Sequence, residues 1–134
     1  MKTLLSVHWA LIASIWYAVN GVLHSVSVLL RHKGPYDREL LRLLMDGHVL
    51  MLSGAVVFVC WLMMLSKIQC GGVISIIAGG FMILYCLMIF PFLPSYVTIA
   101  ISFFLILASI RAINIFPNIY NIMQNYSSHE TFKQ

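Results

Sequence analysis

Four long apolar segments, separated by short polar or proline-containing breaks, account for nearly the whole chain. The pattern predicts helices at about residues 3–30, 40–66, 71–90 and 95–116, followed by a tail at residues 118–134. A helix needs about 20 mostly apolar residues to cross the hydrocarbon core of a bilayer, and each segment meets that length. We therefore predict an all-α, polytopic integral membrane protein, folded as one antiparallel bundle of four transmembrane helices with short loops.

The breaks between these segments carry recognisable turn and cap signals. Gly34-Pro35 marks the first turn, and Asp37 is placed to cap the N-terminus of the second helix. Two prolines within residues 91–94 bracket the third turn. We expect the fourth helix to end before Pro117, because proline lacks the amide hydrogen of a helix interior and its ring clashes with the preceding turn.

Composition supports the membrane assignment and restricts the partners. Hydrophobic residues make up 61% of the chain and charged residues 9%, against about a quarter charged in a soluble domain. Seven of the twelve charged residues lie within residues 31–46, and the net charge is +4. The basic residues form no continuous face, which argues against nucleic-acid binding. The expected partners are the lipid bilayer and a larger membrane complex or a second copy of the chain.

Four spans would place both termini on one side of the membrane, called side A, and residues 31–37 on the other, called side B. Each side then carries four Lys or Arg residues, so the positive-inside rule leaves the orientation open. The first apolar segment continues to Leu30 and lacks a small-residue cleavage site, so we expect it to be retained as a span. The expected location is the cell (inner) membrane.

Polar and small residues fall on defined helix faces. Tyr17, Asn20 and His24 share one face of the first span. In the second span, Asp46 shares a face with Ser53, whereas His48 projects about 200° away from Asp46. Since polar groups in a membrane helix need partners, we expect Asp46 to face the bundle interior and His48 to face outward.

The third span carries small residues at a spacing of four: Gly71, Ser75 and Gly79. Such a stripe allows two helix backbones to approach closely. We expect it to serve contacts between helices of the same chain, ahead of a dedicated dimer interface.

His24 and Asp46 form the sharpest candidate site, because both lie about 6–10 Å below the side B boundary on consecutive spans. A carboxylate beside a histidine could stabilise its charged form or fix its tautomer. A structural explanation stays open, in which Asp46 pairs with Arg42 and His24 bonds a serine or a carbonyl. The candidate ligand-binding residues are His24, Asp46, Asn20, Tyr17, Ser53 and Arg42.

Other site chemistries have weaker support. The three cysteines lack paired spacing, and the third and fourth spans contain no His, Asp or Glu to complete a metal site. His24 and His48 could hold a haem only if Asp46 faced lipid, which is costly. Neither a nucleophile elbow nor a phosphate-binding glycine loop is present. We predict no metal ligand and no catalytic residue, and the sequence identifies no cofactor.

Three functions remain open from the sequence. The preferred one is a non-enzymatic accessory or ligand-binding membrane subunit, whose polar cluster near side B holds a lipid headgroup, a quinone-like molecule or a proton. The first alternative is a membrane-embedded redox or proton-transfer enzyme that uses His24 and Asp46. The second is a small transporter that works as a dimer.

Overall fold

The structure, a computed structural model, describes the backbone of residues 2–89 and 95–131 and the side chains of residues 7–89 and 95–114. Its four helices are α1 (Lys2–Arg31), α2 (Arg38–Leu65), α3 (Gln69–Ile89) and α4 (Tyr96–Thr131). No strand occurs in these described ranges, so the all-α prediction is confirmed. Each helix contains a stretch that is long and apolar enough to cross a membrane: Val7–Arg31, Arg38–Leu65, Gln69–Ile89 and Tyr96–Asn114.

The residues at the two ends of the second helix explain where it begins and where it ends. The carboxylate of Asp37 accepts a hydrogen bond of 2.8 Å from the backbone amide of Leu40, which is the predicted N-cap. At the other end, the amide of Ser66 donates to the carbonyl of Leu62, and Lys67 adopts a positive φ of 60°. This left-handed residue reverses the chain direction, so that α3 can start at Gln69.

The fourth helix does not end at Pro117, and the predicted boundary there is wrong. α4 continues to Thr131, so residues 118–131 extend the helix and do not form a separate tail. A proline removes one backbone hydrogen bond, which a helix can tolerate when its neighbours remain helical. The predicted turn at residues 91–94 and the last residues of the tail, 132–134, lie outside the described residues.

The helices contact one another in a closed ring. Contacts join α1 to α2, α2 to α3, α3 to α4 and α4 back to α1, and the α1–α2 interface is the most extensive. The diagonal pairs touch only weakly. Consecutive helices are therefore neighbours throughout, as expected for short connections.

Glycines set the separation between α1 and α2. A Cβ atom built on Gly21 would lie 2.6 Å from the carbonyl oxygen of Gly47, and one on Gly54 would lie 2.9 Å from the amide nitrogen of Ala18 and from the carbonyl oxygen of Ser14. These distances leave no room for a side chain. The backbones of α1 and α2 can approach this closely only because these positions are glycine.

The small-residue stripe of α3 serves contacts within the chain, which confirms the prediction. Gly71, Ser75 and Gly79 are all buried. A Cβ on Gly71 would meet the Cys60 carbonyl oxygen on α2 at 2.8 Å, and a Cβ on Gly79 would meet the Ser102 carbonyl oxygen on α4 at 3.2 Å. The stripe therefore lets α3 approach both of its neighbours.

The apolar core occupies the centre of the helix bundle and extends from there to the end at which α1 begins. Its buried members are Ala10, Ala13, Tyr17, Val57, Met64, Met82, Leu105 and Ala112. They lie towards the start of α1 and the end of α2, which meet at the predicted side A. This half is closed by side chains, whereas the half at side B is left with space for a cavity.

Candidate ligand-binding cavity

A cavity of about 530 Å³ lies at the end of the ring formed by the last turns of α1 and α3 and the first turns of α2 and α4. This is the predicted side B. All four helices contribute to its wall, which is lined by Asn20, His24, Glu39, Arg42, Leu43, Asp46, Leu50, Tyr85, Cys86, Ile89, Ser95 and Thr98. Its volume falls within the range of small-molecule sites, which is roughly 300–1,000 Å³.

The structure brings four of the six sequence-predicted site residues together in this cavity. Asn20 and His24 line it from α1, and Arg42 and Asp46 line it from α2. Tyr17 lies one turn below Asn20 and is wholly buried in the core. Ser53 lies two turns beyond Asp46, and it is not among the lining residues. The structure thus places Tyr17 and Ser53 outside the wall of the cavity.

Asp46 faces inward, as its helix face predicted. Its carboxylate accepts a hydrogen bond of 2.8 Å from the hydroxyl of Tyr85 on α3. His48 is exposed, and its Nδ1 donates to the carbonyl of Leu44 on its own helix at 2.8 Å. The two residues therefore point away from each other and cannot bind one ligand together.

His24 bonds a backbone carbonyl and not Asp46. Its Nε2 lies 3.2 Å from the carbonyl oxygen of Leu43 on α2. Because a carbonyl oxygen only accepts, Nε2 carries the hydrogen and the neutral ring keeps Nδ1 as an acceptor. Within the described residues, the hypothesis of a direct His24–Asp46 hydrogen bond is replaced by two separate contacts, each to a different partner.

Charged side chains of alternating sign line the α2 side of the cavity. Glu39, Arg42 and Asp46 follow one another in successive turns. The sequence left open an ion pair between Asp46 and Arg42, but among the described residues Arg42 forms no ion pair with either acid. Glu39 and Arg42 are exposed, whereas Asp46 is half-buried. The two exposed groups mark the entrance, and Asp46 lies further in.

Tyr17 closes the cavity from below through a chain of hydrogen bonds. The Ser102 hydroxyl donates to the Thr98 carbonyl at 2.7 Å, so its single hydrogen is used. The Tyr17 hydroxyl, 2.6 Å from the Ser102 oxygen, must therefore be the donor of that bond. Trp16 Nε1 also donates to the Thr98 hydroxyl at 3.3 Å. These bonds tie α1 to α4 just beneath Thr98, a lining residue, and form the floor.

Sequence reasoning did not identify several lining residues. Tyr85, Cys86 and Thr98 lie in the predicted third and fourth spans, which contain no His, Asp or Glu to mark a site. The sequence could have indicated a polar site at Thr98 and Ser102, because these hydroxyl residues lie one helical turn apart near the start of the fourth span. Tyr85 has a comparable signal, since it lies at about the same depth as Asp46 on a neighbouring helix.

The charged and polar residues of the lining can bind a polar or charged group through hydrogen bonds and ion pairs. In the part of the chain that the structure describes, no three His, Cys, Asp or Glu residues are grouped so that they could hold a metal ion. Comparison with models of known protein families, with curated proteins and with solved structures finds no match. The geometry of the cavity is therefore the basis for a functional assignment.

Proposed function

We propose that the protein is a multi-pass integral membrane protein of the cell membrane, folded as an antiparallel bundle of four transmembrane helices. The outward faces of its helices support this. Only 22–33% of the residues in the four most apolar windows are buried inside the protein. Large side chains such as Leu30 and Met88 are 79% and 80% exposed. Soluble monomers rarely expose apolar patches beyond a few hundred Å², and a bilayer would cover these faces.

The proposed function is that of a non-enzymatic ligand-binding subunit, which accepts a polar or charged group from side B. The observation that carries it is the cavity itself, which all four helices build and whose wall carries His24, Glu39, Arg42 and Asp46 within an otherwise apolar protein. Ionisable groups within a membrane protein are costly and mark functional positions. Asp46 and Arg42 both line the cavity, and we expect binding to depend most on Arg42, whose guanidinium has no partner among the described residues.

The floor of the cavity favours binding over transport by a single copy of the chain. Below Thr98, the fully buried side chains of Tyr17, Val57 and Leu105 fill the centre of the ring. A transport path would have to continue through these side chains to side A. A cavity that is closed at its inner end instead suits a subunit that holds its ligand for a partner protein. The charged residues 31–42 around the entrance are the proposed contact surface for that partner.

The Arg42→Gln variant is expected to lose a bound amphiphile while it keeps its fold. Glutamine keeps a polar side chain of similar length at this exposed position, but the positive charge at the cavity is removed. Hydrogen bonds to charged groups contribute about 1.5–3 kcal/mol, so retention of the ligand should fall about tenfold or more. The measurement is native mass spectrometry of protein released from lipid–polymer particles, with circular dichroism as the check of folding.

The matched control is His48→Gln, which changes an exposed polar residue of the same helix outside the cavity. It should retain the amphiphile as the wild type does. Wild-type protein that carries no amphiphile would contradict the proposal, and so would equal retention by the Arg42→Gln variant.

A further inference from the structure

The charges on the cavity wall are ordered by depth. Glu39 is nearest the end of the helix, Arg42 is about 4.5 Å further in, and Asp46 is about 6 Å beyond Arg42, at 1.5 Å per residue. Steps of three and four residues keep all three on one stripe of α2. From the entrance inward, the cavity therefore presents a negative, a positive and again a negative group.

We propose that the cavity binds the headgroup of a phosphoethanolamine lipid, with the phosphate at Arg42 and the primary ammonium at Glu39. This inference rests on the proposed ligand-binding function and names the class of ligand. A phospholipid whose chains point into the membrane carries its amine beyond its phosphate. Its charges, a cation outside an anion, therefore complement Glu39 outside Arg42.

Arg42 supplies the phosphate contact. A guanidinium group offers several N–H donors in a planar fork that matches phosphate oxygens, and it stays charged at any physiological pH. Among the described residues, Arg42 makes neither an ion pair nor a hydrogen bond, so its donors are available to a ligand. His24 lies on the facing helix and lines the same cavity.

Glu39 distinguishes a primary ammonium from other headgroups. A primary ammonium has three N–H donors, whereas the quaternary ammonium of choline has none and cannot donate to a carboxylate. An anionic headgroup without an amine would place no positive charge near Glu39. The carboxylate therefore favours ethanolamine over choline and over glycerol.

Asp46 sets the depth of the ligand. Its negative charge, held in place by the Tyr85 hydroxyl, disfavours a phosphate deeper than Arg42. Beside it, the apolar side chains of Leu43, Leu50 and Ile89 line the wall and can contact the start of an acyl chain. A cavity of about 530 Å³ accommodates the headgroup and this first segment, while the rest of each chain stays in the bilayer.

The test places the full-length protein in nanodiscs that contain equal amounts of phosphatidylethanolamine, phosphatidylcholine and phosphatidylglycerol, and identifies the retained lipid by native mass spectrometry. The wild type should retain phosphatidylethanolamine with about a tenfold preference, because its ammonium can form one charge-assisted hydrogen bond with Glu39 that the other two lipids cannot form. Glu39→Gln should abolish the preference over phosphatidylglycerol. Arg42→Gln should lower the retention of both lipids, and His48→Gln should behave as the wild type.

A second arm offers water-soluble glycerophosphoethanolamine to protein in detergent, and weaker binding than that of the whole lipid is expected. Equal binding of the two would overturn the assignment to a lipid. Retention of an amphiphile without preference for phosphatidylethanolamine would overturn this inference and leave the proposed binding function standing, whereas retention of none would overturn both. The wild-type preference is decisive even if Arg42→Gln does not fold.

Discussion

Replacing Gly54 with alanine is expected to lower the free energy of unfolding by about 2 kcal/mol, within the range seen for overpacked interiors. The added methyl group would lie 2.9 Å from the Ala18 amide nitrogen and 2.9 Å from the Ser14 carbonyl oxygen. Both atoms belong to the α1 backbone, so no side chain can rotate away to make room. Relief requires α1 and α2 to separate along their whole interface, which is the most extensive in the protein.

Gly80→Ala is the matched control, because, apart from its chain neighbours and the adjacent backbone of its own helix, no heavy atom of the described residues lies within 4 Å of its added Cβ. Alanine is the better helix former by up to about 1 kcal/mol, so this variant should be as stable as the wild type or more stable. The measurement is reversible unfolding in mixed micelles, followed by circular dichroism. Equal stability of the two variants would contradict the close approach of α1 and α2.

Leu105→Ala should destabilise the protein by about 2 kcal/mol, near the lower end of the range for buried leucines. Leu105 is fully buried in the centre of the ring, where it packs with Tyr17, Val57 and Met82. Its truncation leaves a void beneath the cavity floor and removes contacts. This loss of stability comes from lost packing contacts alone. Because lipid is as apolar as the core, transfer of the side chain from lipid into the protein adds no hydrophobic driving force.

Leu107→Ala provides the comparison for this prediction, since Leu107 is two residues away on α4 but 43% exposed. Its truncation should change the unfolding free energy by less than about 0.5 kcal/mol. Thermal unfolding of both variants in the same detergent measures the difference. If Leu107→Ala proved the more damaging, Leu105 would not lie in the core.

The apolar periodicity was sufficient to predict the four helices and the direction of their main polar groups. The inward position of Asp46 and the outward position of His48 follow from the helical repeat, which needs no tertiary information. The burial of Gly71 and Gly79 could be predicted for a similar reason, since small residues at a spacing of four mark close helix contacts. These predictions depend on local geometry alone.

Partner choice within the site could not be read from the sequence. Asp46 bonds Tyr85 and His24 bonds the Leu43 carbonyl, because the relative rotation and height of three helices decide which groups meet. Tyr17 shares a helix face with Asn20, yet one turn of depth places it under the floor and within reach of Ser102. Depth differences of a single turn are decided by packing between helices.

The predicted end of α4 before Pro117 is wrong for a different reason. Pro117 is a strong stop signal in an isolated helix, but its effect is local to one hydrogen bond and one preceding turn. The helix continues to Thr131 despite it. The helix-breaking tendency of this one proline therefore does not decide where α4 ends, because the residues on both sides of it remain helical.

We infer that the protein crosses the membrane and that its cavity opens to side B. The most direct test is labelling of single cysteines in sealed vesicles with a membrane-impermeant thiol reagent, in backgrounds that lack the other native cysteines. Lys33→Cys reports side B, and the native Cys70, which is exposed in the first turn of α3, reports side A. Asn20→Cys reports the cavity.

We expect the Asn20→Cys and Lys33→Cys variants to react from the same side of the vesicle and Cys70 to react only from the other. Reaction of Cys70 and the Lys33→Cys variant from one side would contradict the transmembrane arrangement of α2. Reaction of the Asn20→Cys variant from the Cys70 side alone would contradict a cavity that is reached from side B.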